Sequence, residues 1–373
     1  MSNVFIAADN ITSPIGLTTA DNFAQLKKGI SGIKQHNDKA IADEPFYAAL
    51  FDQDQFVTNN QQTKYEQLLI TSITDALANC AVDPADKKTG LIISTAKGNI
   101  SLLETEANNA GLQKRIALPT SAKLAAEHFG FVNEPIVVSN ACISGIMAIL
   151  TGMRLIRSGQ YENVVVAGAD VITKFVLSGF QSFQAISAEP CKPFDADRTG
   201  ITLGEGAATI ILTSNPKYAD NVKVLSGAVS NDANHISAPS RTGEELAFAI
   251  TKSLKQAGLS ANDIDFISAH GTATSYNDEM EAKAINLSGL QHIPVNSLKG
   301  FYGHTLGAAG LIESIISIQS LKENVVLPTV GFANMGVSAL INICTHLLPG
   351  NYKTFLKTAS GFGGCNAAVL FSK

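Results

Sequence analysis

Short β-branched runs alternate with helix-patterned stretches along this chain, and the alternation runs through twice. Strand-like runs stand at 3–7, 89–94, 135–139, 163–167 and 207–212. After a polar break at 213–220, a second series follows at 222–227, 264–269, 293–296, 340–344 and 367–371. Alternation of this kind marks α/β architecture. The two series also echo each other. Gly204-Glu-Gly-Ala-Ala-Thr-Ile-Ile-Leu212 lies beside Gly363-Gly-Cys-Asn-Ala-Ala-Val-Leu-Phe371 with Gly, Ala and aliphatic or aromatic positions in register. In each series a strand leads into a helical segment rich in small residues, at 142–157 and at 304–321. A repeat of this kind suggests two similar halves, 1–215 and 216–373, facing each other across a pseudo-two-fold axis. Chance similarity of short apolar strands is the competing explanation. No linker rich in Pro, Gly or Ser separates the halves, so one compact unit is expected. Under duplication, Cys142 and His304 occupy related helix starts and converge on one site.

Bulk properties narrow the function. A net charge of −5 argues against nonspecific nucleic-acid binding, which needs a basic surface. Five widely spaced cysteines show no CxxC pair or Cys/His ligand spacing, so neither a disulfide framework nor a metal site is indicated. No signal peptide is visible, and the longest apolar stretch is interrupted by Gly145, Thr151 and Gly152 and closed by Arg154. It is too short to span a bilayer. These features predict a reducing, cytoplasmic compartment and no membrane partner.

Four stretches carry chemistry. Ile136-Val-Val reads as a buried strand that stops at Ser139-Asn140, and a helix-like segment begins at Cys142. A thiol in the first turn of a helix faces unpaired N–H groups and the positive end of the macrodipole, which favours thiolate. Cys142 is therefore open to two readings, a nucleophile or one more buried cysteine. His270, in Ile267-Ser-Ala-His-Gly-Thr-Ala-Thr274, ends an apolar strand where open α/β sheets place ligands; a core histidine is the alternative. Lys299 and Glu313 flank His304 in otherwise apolar sequence. Charges so placed are usually paired, so a Lys299–Glu313 contact is expected. Finally, Ala359-Ser-Gly-Phe362-Gly-Gly364 exposes backbone N–H groups that could serve an oxyanion, although many turns contain such glycines.

Taken in order, these motifs resemble a known family. Ala141-Cys-x-Ser-Gly, Lys192-Pro-Phe-Asp-Ala-Asp-Arg-Thr-Gly200 with Gly204-Glu-Gly206, His270-Gly-Thr-x-Thr, Lys299…Gly-His304-x-x-Gly-Ala-Ala-Gly…Glu313 and Gly-Phe362-Gly-Gly-x-Asn366 resemble the elongating β-ketoacyl-ACP synthases of the thiolase superfamily. The likeness covers essentially the whole chain. It implies a thiolase-like, duplicated five-layered α/β/α/β/α fold and a dimer, either a homodimer or a heterodimer with a related ketosynthase-like subunit. It also implies a mechanism. Cys142 takes an acyl group from acyl carrier protein; the N–H groups of Cys142 and Phe362 stabilise the oxyanion, worth on the order of 3 kcal/mol per donor. His270 and His304 then polarise the malonyl thioester carbonyl while CO₂ leaves, and the enolate attacks the acyl-cysteine. Lys299, paired with Glu313, orients the histidines; Thr272 and Thr274 match pantetheine-binding positions; Phe362 matches the gate between acyl and malonyl pockets. No tightly bound cofactor is implied, because the carrier supplies phosphopantetheine. Arg198 is a candidate for carrier docking by its motif position, with an internal salt bridge as the alternative.

The set Cys142, His270, His304 also discriminates among relatives. Initiating synthases of the acyl-CoA type carry Asn where His304 stands, and thiolases use a second cysteine; Cys365 is read as a small buried residue. A non-catalytic, chain-length-factor-like subunit typically lacks the nucleophile. A Cys-His hydrolase on the same fold would have to admit water. Departures from the pattern fall at Asn140, Asn277, Phe301-Tyr302 and Ser360, and the chain is shorter than typical members between Lys97 and Asn133. Ser360 is expected to enlarge the acyl and malonyl pocket, and Phe301 and Tyr302 to fill it. Fatty-acyl chains and polyene or aryl-primed polyketide chains are both open as substrates.

Overall fold

The computed structural model describes residues 3–52, 54–56, 61–234 and 236–373. Its main sheet has eleven strands. In the first half these are β1 (Phe5–Thr12), β2 (Thr89–Ser94), β3 (Ile136–Val138), β4 (Asn163–Asp170) and β5 (Gly206–Thr213). The second half adds β6 (Lys223–Asn231), β7 (Phe266–Ser268), β8 (Pro294–Asn296), β9 (Asn342–Ile343), β10 (Thr354–Gly361) and β11 (Cys365–Ser372). The spatial order is β9-β8-β7-β10-β11-β6-β1-β5-β4-β2-β3.

Outward from the middle, each half repeats one pattern. β1, β5, β4, β2 and β3 pair antiparallel, antiparallel, parallel, parallel. β6, β11, β10, β7 and β8 do the same. The halves meet where Phe5 pairs with Lys223, beside the bonds Ile6 N–H to Val222 O and Val224 N–H to Val4 O. β5 and β11, whose sequences echo each other, hold equivalent places. The counterpart of β4, however, is β10, where no strand is expected from sequence. The expected strand at 340–344 shrinks to the two-residue edge strand β9. β10 escapes notice because Lys357, Thr358 and Ser360 interrupt its apolar run, although all three are buried.

Helices complete five layers. α1 (Lys64–Ala78), opened by a Thr63–Glu66 capping box, and α2 (Leu118–Phe129) cover the outer face of the first half. α5 (Glu244–Ala257) and α6 (Ser275–Leu287) cover the outer face of the second. Between the halves lie α3 (Ser144–Arg157) and α8 (Ala309–Glu323), each touching strands of both. Two short helices serve the site, α4 (Lys174–Ser182) and α7 (Lys299–Tyr302). Strand alternation sorts the core. In β4, Val164 and Val166 face the central helices while Val165 and Ala167 face α1 and α2. α8 buries twelve of its fifteen residues, as a helix packed on all sides must.

The two central helices cross backbone to backbone. A Cβ on Gly145 would lie 2.7 Å from Leu311 N, and one on Gly310 would lie 2.8 Å from Ile146 N. Glycine is required at both positions, and that contact draws the segments before the two helices into one place. Among the described residues no helix is long and apolar enough to cross a membrane.

Candidate active site

Cys142 sits on the corner between β3 and α3. Ala141 before it holds a left-handed backbone (φ 43°), which costs a non-glycine residue about 1–3 kcal/mol and is kept where surrounding structure enforces it. Ser144 enforces it here: its Oγ accepts Asn140 N–H at 2.8 Å and donates to Ala141 O at 2.7 Å. The same corner delays the helix. α3 starts at Ser144, so Cys142 precedes the first turn and does not occupy it. The thiolate expected from a helix terminus is accordingly not what the structure favours. Burial pushes the Cys142 thiol up to about 12; Cys365 adds to the rise, while Lys299 and a hydrogen bond from Phe362 N–H oppose it.

His304 Nε2 lies 2.9 Å from Cys142 Sγ. The histidine stands in the stretch between α7 and α8, pinned by His304 N–H to Thr202 O at 2.7 Å and Gly204 N–H to His304 O at 3.0 Å. His270 follows β7, with its ring centre 5.3 Å from that of His304 and the planes at 85°. One donor atom from each of Cys142, His270 and His304 lies within 4.8 Å of the others. The three side chains thus form one compact, buried cluster. Burial, then Lys299, hold both imidazoles well below the ordinary histidine value, so both are neutral.

A buried charge network supports the pair. Lys299 Nζ lies 2.6 Å from Glu313 Oε1, the contact expected from their apolar surroundings, and donates to His270 O at 2.8 Å. Its distance to His270 Nδ1 is 3.2 Å. Lys357, not anticipated from sequence, stands 2.7 Å from Glu313 Oε2, off the hydrogen-bond line, and donates to Ser268 O and Ala269 O at 3.1 Å each. Burial would raise the Glu313 carboxyl; the two lysines outweigh it and hold the group below its usual value. Glu281 accepts His270 N–H and Gly271 N–H at 2.8 Å each and Thr358 Oγ–H at 2.6 Å. Asp170 accepts Gly307 N–H at 2.7 Å and Thr95 Oγ–H at 2.8 Å, tying the His304 turn to the end of β4. Burial raises the Asp170 carboxyl to about 6.

The Cys142–His270–His304 cluster opens into a cavity of about 250 Å³ lined by Thr272, Thr274, Ser360 and Phe362 among others. The Thr272 and Thr274 hydroxyls are 2.8 Å apart. Ser360 donates to Asn366 Oδ1 at 2.7 Å. The Phe362 ring packs against Phe180 of α4 and Phe183, at centroid distances of 5.5 and 5.2 Å. Gly361 passes so close to Cys142 that a Cβ there would lie 3.0 Å from Cys142 N.

Three sequence candidates go elsewhere. Phe301 and Tyr302 are buried in the central core and do not line the cavity. Tyr302 turns to Asn22, donating to its Oδ1 at 3.1 Å. Arg198 is not a docking side chain: its guanidinium donates to Asp195 O at 2.8 Å and Gly336 O at 2.5 Å, 4.0 Å from Asp278. Cys365 is buried, with its sulfur directed at Phe362 O. Of the residues that sequence reasoning missed, Lys357 had a usable signal. It is a lone charge in a strand-length stretch, the same cue that singled out Glu313.

The duplicated α/β frame and a buried Cys-His-His centre define a thiolase-fold condensing enzyme. Residues 1–217 match the N-terminal domain of β-ketoacyl synthase and residues 222–333 match its C-terminal domain, so the chain belongs to the β-ketoacyl synthase family and is a condensing acyltransferase. It is 28% identical to 3-oxoacyl-acyl-carrier-protein synthase 2 of Vibrio cholerae, over 99% of each chain. Identity to the protein of that name from Rhizobium meliloti is also 28%, over 100% of this chain and 99% of the other. Among solved structures, a β-ketoacyl synthase from Burkholderia phymatum superposes with a TM-score of 0.88 at 23% identity over 100% of both chains. A ketosynthase from Xenorhabdus doucetiae, solved in complex with its chain length factor, gives 0.87 at 24% identity over 100% of this chain and 98% of that one. At these identities the structural likeness is one of fold.

Proposed function

We propose that this β-ketoacyl-ACP synthase works by acyl transfer to Cys142 followed by decarboxylative condensation with malonyl-ACP. The observation that carries the reading is the 2.9 Å contact between Cys142 Sγ and His304 Nε2. A neutral imidazole so placed takes the thiol proton as sulfur attacks the acyl thioester. Negative charge on the carbonyl oxygen meets the N–H groups of Cys142 and Phe362, and the carrier's pantetheine sulfur then leaves, taking the proton from His304. In the second half-reaction His270, and His304 once its proton has moved from Nδ1 to Nε2, donate to the malonyl thioester oxygen as CO₂ departs. The enolate carbon attacks the acyl-cysteine carbonyl and the sulfur leaves. Thr272 and Thr274 hold the pantetheine arm, and Phe362 separates the two pockets. Nucleophile and both histidines in one cavity favour this role over that of a chain-length-factor-like partner.

Acyl carrier protein is the proposed partner, supplying phosphopantetheine, so that no tightly bound cofactor is needed. A dimer is proposed as well, with itself or with a related ketosynthase-like subunit; β3 ends the sheet with its outer edge unpaired among the described residues. All five cysteines are free thiols, which supports a reducing, cytoplasmic compartment. Purified protein is expected to decarboxylate malonyl-ACP and to lose acyl transfer on Cys142→Ala. Mass spectrometry of Cys142 after incubation with acyl-ACPs reads the transfer, and unchanged transfer in the variant would overturn the assignment. His304→Asn is expected to impair decarboxylation more than acylation, and equal loss of both counts against its role.

A further inference from the structure

The mechanism above leaves Lys357 without a role, yet it is fully buried in the middle of β10. Desolvating an ammonium costs several kcal/mol, so an apolar residue would be the more stable occupant of a central strand. The register of the parallel β7–β10 pair sets Lys357 opposite Ser268, two residues before His270. There it reaches two main-chain oxygens and one oxygen of Glu313. Lys299 holds the other Glu313 oxygen. An ammonium has three protons, and those of Lys299 meet Glu313 Oε1, His270 O and His270 Nδ1. Nδ1 is therefore an acceptor, and the proton of neutral His270 sits on Nε2.

We propose that Lys357 is a positioning residue for condensation: it holds Glu313 from the side opposite Lys299, keeps the third Lys299 proton on His270 Nδ1, and leaves the Lys299–Glu313–Lys357 set with an excess of positive charge beside the histidines. This rests on the reading of the site given above. Among the described residues, other ionisable groups near the two rings include Cys142 before α3, Glu281 of α6 and Asp170 at the end of β4. Both carboxylates are committed to backbone N–H groups. The excess charge disfavours protonation of either imidazole and favours negative charge on sulfur and on the substrate oxygen. Both lysines lower the affinity of the two rings for a proton.

The test compares Lys357→Met, which removes the charge at similar volume, with Lys357→Gln, which also keeps a donor for the two carbonyls. In both variants the acid-side midpoint of malonyl-ACP decarboxylation is expected to rise by about one pH unit or more. At neutral pH kcat should fall about tenfold, with KM changed less than about twofold. An unshifted acid limb in either folded variant overturns the proposal, as does a Gln variant with wild-type behaviour. A second measurement needs no variant: ¹⁵N NMR of the unmodified protein should show His270 as the Nε2–H tautomer, without titration at its ordinary value of 6.5. An Nδ1–H tautomer, or titration at that value, overturns the proposal even if neither variant folds. Because that measurement uses no substrate, it stands or falls apart from the condensation reading. Absence of decarboxylation by the unmodified protein would sink that reading alone.

Discussion

At Cys142, burial and hydrogen bonding act on one sulfur in opposite directions, and burial wins. Under the proposed mechanism the thiol becomes nucleophilic only as His304 removes its proton. Alkylation of Cys142 by iodoacetamide in the free enzyme should therefore keep rising past pH 9.0, the ordinary cysteine value. A plateau near neutrality would show a preformed thiolate. The histidines set a second pH dependence. Their folded-state affinities for a proton are depressed, so below 6.5 the unfolded chain binds protons that the folded chain refuses. Stability is thus full above that value and falls as the solution is acidified through it, by at most about 1.4 kcal/mol per pH unit per histidine. Asp170 and Asp278, raised to about 6, act in the opposite sense below that value, so the histidine contribution is read as a difference. Between pH 7 and 6 the urea midpoint of His304→Asn should fall less than that of the unmodified protein, and an equal fall rejects the effect. Cys142, both histidines and the Lys299–Glu313 pair were legible in the sequence as candidates that the fold brings together, since each stands in a short motif or as a charge in apolar surroundings. The protonation state of Cys142 was not, because it depends on how completely distant segments close over the sulfur.

Among the elements, the crossing of α3 and α8 matters most. Each follows a segment that carries a reactive group, and each contributes one glycine to the contact. Gly310→Ala would set a methyl group 2.8 Å from Ile146 N, with backbone on the other side and little room to yield. Overpacking of this kind typically costs about 1–3 kcal/mol. The variant should unfold at lower denaturant and should also acylate Cys142 more slowly, since separating the helices separates Cys142 from His304. Lost stability with unchanged acylation would show that the crossing does not position the site. β10 shows where reading elements from sequence fails. Its Lys357, Thr358 and Ser360 look like surface residues in a one-dimensional pattern. In space they meet Glu313, Glu281 and Asn366, so a buried strand can carry them.

For the molecule as a whole, the largest core belongs to neither half alone. Ile146, Ile149 and Leu150 from the first half pack in one cluster with Leu311, Ile315, Phe355 and Phe371 from the second. Residues 1–217 expressed without the rest would leave the inner face of α3 and of its sheet in water, a loss no surface rearrangement recovers. This fragment is expected to show no cooperative urea transition and to bind hydrophobic dyes. A cooperative transition for the fragment would show that its core is self-sufficient.

From sequence alone came the doubled α/β pattern, the equivalence of the strands ending at 212 and 371, and Cys142, His270 and His304 as candidates, whose roles the family resemblance implied. These are local signals: period, turn chemistry and short motifs carry them without knowledge of neighbours. Only the tertiary structure decided that Arg198 is spanned by carbonyls inside the protein and that Phe301 and Tyr302 turn into the central core. It alone set Lys357 against Glu313, through the register of β10 on β7. Burial and register are properties of the assembled chain. An aromatic ring, or a charge set among other polar residues as Arg198 is, has the same sequence signature whether it ends in solvent or in the core.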